Sequence, residues 1–191
     1  MNSSVEERIL DAAFEVVDTY TISGTRMHLI AEKAGMSQAN LHYHYKTKKD
    51  LLIALLDYLQ CNFSVFRDEI LKKAPATLQG KMSVFFEQKK YYTICDPKYD
   101  RVQIDYWSCG QIDEQINKSI NESYRVWFEN IMGVMLDYRP KMDPEKAKIL
   151  AHIMISMMLG STMQYLANPN FDLDRHNQTC LELLCSALDA D

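Results

Sequence analysis

Residues 39–50, ANLHYHYKTKKD, gather two histidines, two tyrosines and three lysines into twelve positions. Imidazoles ligate metals or carry protons, and lysines and phenols hold anions. Helical geometry argues against the metal. His42 and His44 are two residues apart, so on a helix they point about 200° away from each other and cannot share one ion as an i, i+4 pair would. No Asp/His set lies nearby at ligand spacing and no nucleophile motif accompanies them, so neither a metal, a cofactor nor an enzyme activity is expected. Both histidines read better as hydrogen-bond donors to phosphate, with Tyr43 beside them.

The residues just before this stretch suit bases. Asn and Gln pair bidentately with adenine and Ala meets a thymine methyl, which fits Gln38, Ala39 and Asn40. Lys48 and Lys49 then open a helix, where the macrodipole disfavours positive charge by a few tenths to ~1 kcal/mol each. A phosphate partner would turn that cost into attraction.

Charge supports this locally and not globally. The net charge is −5, yet Arg26, Lys33, Lys46, Lys48 and Lys49 outnumber Glu32 and Asp50 between residues 21 and 50. With 47 % hydrophobic and 25 % charged residues in 191, the chain is an ordinary globular composition with a sizeable core. Five scattered cysteines without CxxC spacing favour reduced thiols. The longest apolar run, ILAHIMISMMLG, is read as too short to span a bilayer, and no secretion signal is evident; a cytoplasmic location is expected.

The elements that must position these residues are helical. Ile9, Ala12, Ala13, Val16 and Val17 form one apolar face; a short second segment starts at Thr25 as N-cap and carries Ile30, Ala31 and Ala34; Gly35 stops it, and Ser37 caps a third that turns Leu41 and Tyr45 inward. Thr47 and Asp50 have capping-box spacing ahead of a helix of about 26 residues, roughly 39 Å long. Further helices are expected at roughly 77–94, 99–110, 112–138, 144–167 and 173–189, about nine in all. The 144–167 helix, apolar almost all round in its middle, should be buried on several sides.

Two short helices joined by AGMS and braced by a third form a helix–turn–helix, which places its second helix in a DNA major groove. At this point GTRMHLIAEKAGMSQANLHYHYKTKKDLL resembles the DNA-binding signature of the TetR family of transcriptional regulators, through Ile9, Ala12, Ala13, Thr25, Ile30, Ala31, Ala34, Gly35, Ser37, Leu41, Lys48, Leu51 and Leu52. The resemblance implies an all-α fold. Residues 1–50 would be the DNA-binding domain, with its helix–turn–helix at about 26–45 and recognition helix at 37–44. A long helix would join it to an effector-binding and dimerisation domain at 51–191. It also implies that Thr25, Arg26, His42, Tyr43, His44 and Lys48 touch the DNA backbone, with Gln38, Ala39 and Asn40 near bases. The sequence departs from the family at Ala39, His42, Arg26 and Leu29, and its arm MNSSVEE lacks the basic residues that some relatives extend over DNA.

The remainder is rich in aromatic residues and methionine, as small-molecule pockets are. Phe86, Lys89, Tyr92, Tyr106, Trp107, Tyr124, Trp127, Phe128, His152 and Met157 are the candidate lining, with Gln88 and Gln164 as further inward polar groups; His152 also reads as a core or pocket-edge histidine. Such stripes more often form plain core. Residues 102–132 resemble the family branch that includes the betaine-pathway regulator BetI. The resemblance further implies a homodimer through the last two helices. The expected function is a repressor released from a palindromic operator by an unidentified small-molecule effector. The alternatives are an interaction module without DNA binding, and a helical enzyme using His42, His44 or Cys109.

Overall fold

The computed structural model describes residues 4–189. The first three residues of the arm lie outside them, and with them part of the expectation that it offers no basic contact. The described residues form nine helices: α1 (Val5–Gly24), α2 (Met27–Lys33), α3 (Gln38–His44), α4 (Lys48–Lys73), α5 (Leu78–Cys95), α6 (Pro97–Gly110), α7 (Glu114–Tyr138), α8 (Pro144–Ala167) and α9 (Leu173–Asp189). The all-α reading is right, and the helix limits agree with the sequence to within two residues. α6 starts earlier than expected because Pro97 suits a first helical turn, where its missing N–H costs nothing.

The chain divides into two compact units: residues 1–63 with 98–123, and residues 64–97 with 124–191. α4 and α7 contribute to both.

In the first unit, Ile9, Ala12, Ala13, Val16 and Val17 of α1 are buried, as are Ile30, Ala31, Ala34 and Leu41 of the two short helices. α1 packs on α2, and α2 on α3. Local chemistry sets each boundary. The Ser4 hydroxyl and the Glu7 carboxylate cap the start of α1 reciprocally. Gly35 adopts φ +67°, its N–H donates to Glu32 O and the Met36 N–H to Ala31 O, a Schellman stop. Ser37 accepts from the Asn40 N–H at 3.2 Å to begin α3. The Thr47 hydroxyl accepts from the Asp50 N–H at 3.1 Å while Asp50 accepts from the Thr47 N–H at 3.0 Å, so Asp completes the box that usually takes Glu.

One cap differs from the sequence reading. Arg26, not Thr25, occupies the N-cap of α2 and supplies no side-chain bond there. The Thr25 hydroxyl turns backward and donates to Thr21 O at 2.7 Å, the same carbonyl that accepts the Thr25 N–H at 3.0 Å, where α1 breaks at Thr21 (φ 61°).

In the second unit α5 packs on α8 and α9, which also pack on each other. Phe85, Phe86, Trp127, Ile131, Met135, Met154, Met158, Leu181 and Leu184 belong to one buried cluster. α8 is not enclosed on several sides as expected. Ala147, Leu150, Ala151, Met154 and Met158 face the core, while Ile149, Ile153 and Met163 are exposed. By length and composition α8 could cross a bilayer, contrary to the reading of its apolar run; in this fold one side of it is core.

Candidate nucleic-acid interface

α3 is braced by one buried anchor, Leu41, with no exposed surface. The other side presents Gln38, Ala39, Asn40 and Tyr43, all exposed, Tyr43 to 76 %. This is the face the sequence assigns to bases. Ala39 and Asn40 each stand one turn before Tyr43, with Gln38 beside them at the helix start, so the exposed side chains gather on a seven-residue helix that fits a major groove about 12 Å wide.

The histidines on α3 are held differently from one another. His42 Nδ1 lies 3.2 Å from Lys46 O, and its Nε2 lies 3.4 Å from Gln38 Nε2. That pair of contacts fits the tautomer in which Nδ1 donates and Nε2 accepts. His42 therefore steers Gln38 and offers no spare proton in this state. His44 stacks edge-on against Tyr43, with ring centroids 5.5 Å apart.

The expected backbone contacts fall into two groups. Thr25 is fully buried with its hydroxyl turned to Thr21 O, so it presents nothing to a phosphate in this conformation. Arg26 is exposed, and its Nη1 donates to Ser23 O at 2.7 Å and Thr25 O at 3.1 Å, closing the carbonyl end of α1.

The lysines at the start of α4 have acceptors within the chain. Lys48 Nζ donates to Ile22 O. Partial burial, with Arg26 nearby, holds its ammonium below the usual lysine range. Lys49 Nζ is 2.6 Å from Asp113 Oδ2. That ion pair, joined by the Ile116 and Gln115 N–H groups, holds the Asp113 carboxyl below the usual carboxylate range. A phosphate is therefore not needed to explain lysines at this helix start, which removes one argument made from the sequence.

Sequence reasoning missed Asp105. Its carboxylate accepts from the Ile22 N–H, so Ile22 is gripped at both backbone groups, from α6 and from α4. Nothing in the spacing of α6 signals this, since the contact spans 83 residues.

The candidate pocket residues separate. Phe86 and Trp127 belong to the cluster of the second unit, with Tyr124, Phe128 and Met157 packed against it. Lys89 and Tyr92 are buried in the same unit; burial, then Asp96, pushes the Tyr92 phenol up to about 12. His152 is exposed, not a core residue, and stacks on Phe128 with centroids 4.5 Å apart, because it lies on the open side of α8. Gln88 is buried, whereas Gln164 is exposed. Tyr106 and Trp107 belong to the first unit. There the Tyr106 hydroxyl donates to Leu52 O at 2.6 Å, tying α6 to α4, and Trp107 is 54 % exposed.

A second omission is Arg67. Its side chain is only 2 % exposed. The signal was available: Phe63, Arg67 and Ile70 continue the inward stripe of α4 at steps of four and three.

Comparison with known proteins follows the same division. A family model for bacterial regulatory proteins of the tetR family matches residues 9–55. The HTH-type transcriptional regulator RutR of Escherichia coli (strain K12) is 41 % identical over 54 residues, 28 % of this chain and 26 % of that protein. The fatty acid metabolism regulator protein of Bacillus subtilis (strain 168) is 22 % identical over 186 residues, 95 % of this chain and 94 % of that protein. Among solved structures, the transcriptional regulator FadR from Bacillus subtilis in complex with stearoyl-CoA aligns with a TM-score of 0.81 at 21 % identity, covering 95 % of this chain and 98 % of that one. At that identity the likeness establishes the fold.

Proposed function

From the premise that this chain belongs to the TetR family of bacterial regulatory proteins, we propose that it is a cytoplasmic, homodimeric repressor that an effector releases from a palindromic operator. Residues 1–50 form the operator-binding domain, and residues 51–191 the effector-binding and dimerisation domain. The observation that carries this reading is the exposed ridge Gln38, Ala39, Asn40 and Tyr43 on a helix anchored by Leu41. Gln38, Ala39 and Asn40 meet base edges; Arg26, His42, Tyr43, His44 and Lys48 meet sugar and phosphate, while Thr25, buried behind Arg26, holds the turn that presents them.

Dimerisation is supported by the open apolar residues Ile149, Ile153 and Met163 of α8 and Leu183 of α9. A twofold mate on that face sets two recognition helices about one turn apart, roughly 34–36 Å. The interior of the second unit, with Phe86, Trp127, Tyr124, Phe128 and Met157 clustered, supports an effector with a large apolar body. The relatives support the same class, since one is a fatty acid metabolism regulator and one structure holds stearoyl-CoA. Release requires that the effector prefer the arrangement with misplaced recognition helices, and α4, which contributes to both units, is the lever.

A second reading is favoured by the occupied lysines: a protein-interaction module whose helix–turn–helix no longer binds DNA. Selection from a random pool of duplex DNA separates the two. An inverted repeat should emerge, with affinity falling steeply as salt rises. Recovery of no sequence, or binding insensitive to salt, would sink the regulator reading.

A further inference from the structure

We infer that the second unit holds its effector by an acid group, a carboxylate or a phosphate, paired with Arg67; this rests on the effector-binding reading above and names the chemistry of that ligand.

Arg67 is buried on the inward stripe of α4, and its Nε and Nη1 have no hydrogen-bond partner. The Asp68 carboxylate is 3.7 Å from Nε, beyond hydrogen-bond reach, and 58 % exposed. Adjacent residues on a helix do not face each other, so Asp68 cannot turn inward to complete the pair. Burial holds the guanidinium below its ordinary range, and the Asp68 carboxylate at 3.7 Å offsets this only in part. A buried cation without an acceptor is costly to a fold, and a guanidinium keeps its charge where lysine would lose it. Sites of this kind are sustained by a ligand that brings the missing oxygens, and the fork of N–H donors matches a carboxylate or phosphate edge.

The surroundings set the rest of the ligand. Phe66, next to Arg67, meets Tyr91 at 5.0 Å and Tyr92 at 5.8 Å between ring centroids. Lys81 Nζ donates to Leu71 O and Ala74 O, so the end of α4 runs antiparallel to α5, and it is Phe66, one residue before Arg67, that reaches the Tyr91–Tyr92 pair. Along that part of α5, Phe85, Phe86 and Gln88 are buried. An acid on an apolar body satisfies both the cation and the rings. A neutral or cationic amphiphile leaves Arg67 as it stands.

The test is isothermal titration of the full-length protein with decanoic acid, decyl phosphate, 1-decanol and decyltrimethylammonium, each below its micelle concentration. One of the acids should bind at least about tenfold tighter than decanol, and which acid wins separates carboxylate from phosphate. Arg67→Met should erase that preference while still binding decanol, and should melt no lower than the parent when free of ligand. Should Arg67→Met not fold, Arg67→Lys decides, because it loses the fork and, buried without a partner, gives up its charge more readily; its acid preference must fall. The assignment is overturned if the parent binds decanol or the ammonium as tightly as the acids, or if the variants keep the parent's preference. If none of the four probes binds, the effector reading itself fails and takes this one with it.

Discussion

Lys48 donates its ammonium to the Ile22 carbonyl, fastening the first turn of α4 to the end of α1 across 26 residues of sequence. A lysine placed so has a structural role as well as a proposed one at DNA. Lys48→Ala should lower unfolding free energy by about 1 kcal/mol, the scale of one hydrogen bond lost from a partly buried carbonyl. It should also weaken binding to all DNA sequences alike and reduce the salt slope by about one. Denaturant unfolding and salt-dependent binding titrations check the two effects separately.

Asn40 is exposed on α3, and its backbone N–H donates to the Ser37 hydroxyl. Asn40→Ala should leave stability within about 0.5 kcal/mol. Discrimination at one base pair of the selected operator should fall by about 1–3 kcal/mol, while the salt slope stays. Competition binding against single-position operator variants reads this. An unchanged preference would move base readout to other residues.

Gly35 sits at φ +67° with open space where a Cβ would go. Strain alone therefore decides the cost of a side chain. Gly35→Ala should destabilise by about 1–2 kcal/mol, and Gly35→Asn by less, since Asn tolerates the left-handed region. A thermal melt of the three proteins gives the order.

Ile153 and Leu183 are exposed on α8 and α9, at 39 % and 58 %. Charges introduced on both, Ile153→Glu with Leu183→Glu, should convert a dimer to a folded monomer by sedimentation. Operator affinity should fall with it, because each half-site then binds alone. A monomeric parent would refute the proposed interface outright.

The Lys49–Asp113 pair gives an acid-side dependence. Asp113 titrates below its unfolded value, so its contribution is present above about pH 4 and is lost as pH falls through the depressed value. The parent and Asp113→Asn should differ in melting temperature at pH 6, and the difference should shrink as pH falls below about 4. A difference that does not shrink on acidification would assign the effect to something other than the carboxylate.

Much of the fold was legible because its boundaries rest on local chemistry. Ser37, Gly35 and the Thr47–Asp50 box act on backbone groups within four residues, and helical spacing gives the buried faces of α1 and α9 directly. What escaped depends on partners far along the chain. Thr25 has the chemistry of a cap, but a break at Thr21 offered it a better acceptor behind. Tyr106 looks like pocket lining until Leu52, 54 residues away, receives its hydroxyl. The open side of α8 could not be told from composition, because exposed isoleucines read the same as buried ones. Of the recognition helix, the exposed residues were foreseen, while the locked ring of His42 depends on Lys46 O beyond the helix end.

A break in a helix is ordinarily where a structure frays. The one at Thr21 is pinned from outside: Asp105 holds the Ile22 N–H, Lys48 its carbonyl, and Thr25 and Arg26 close the carbonyls behind it. The amides around it should exchange with solvent slowly despite lying off the regular helical ladder. Mechanically the joint is stiff, so a shift of α6 is passed on to the start of α2 and not absorbed on the way.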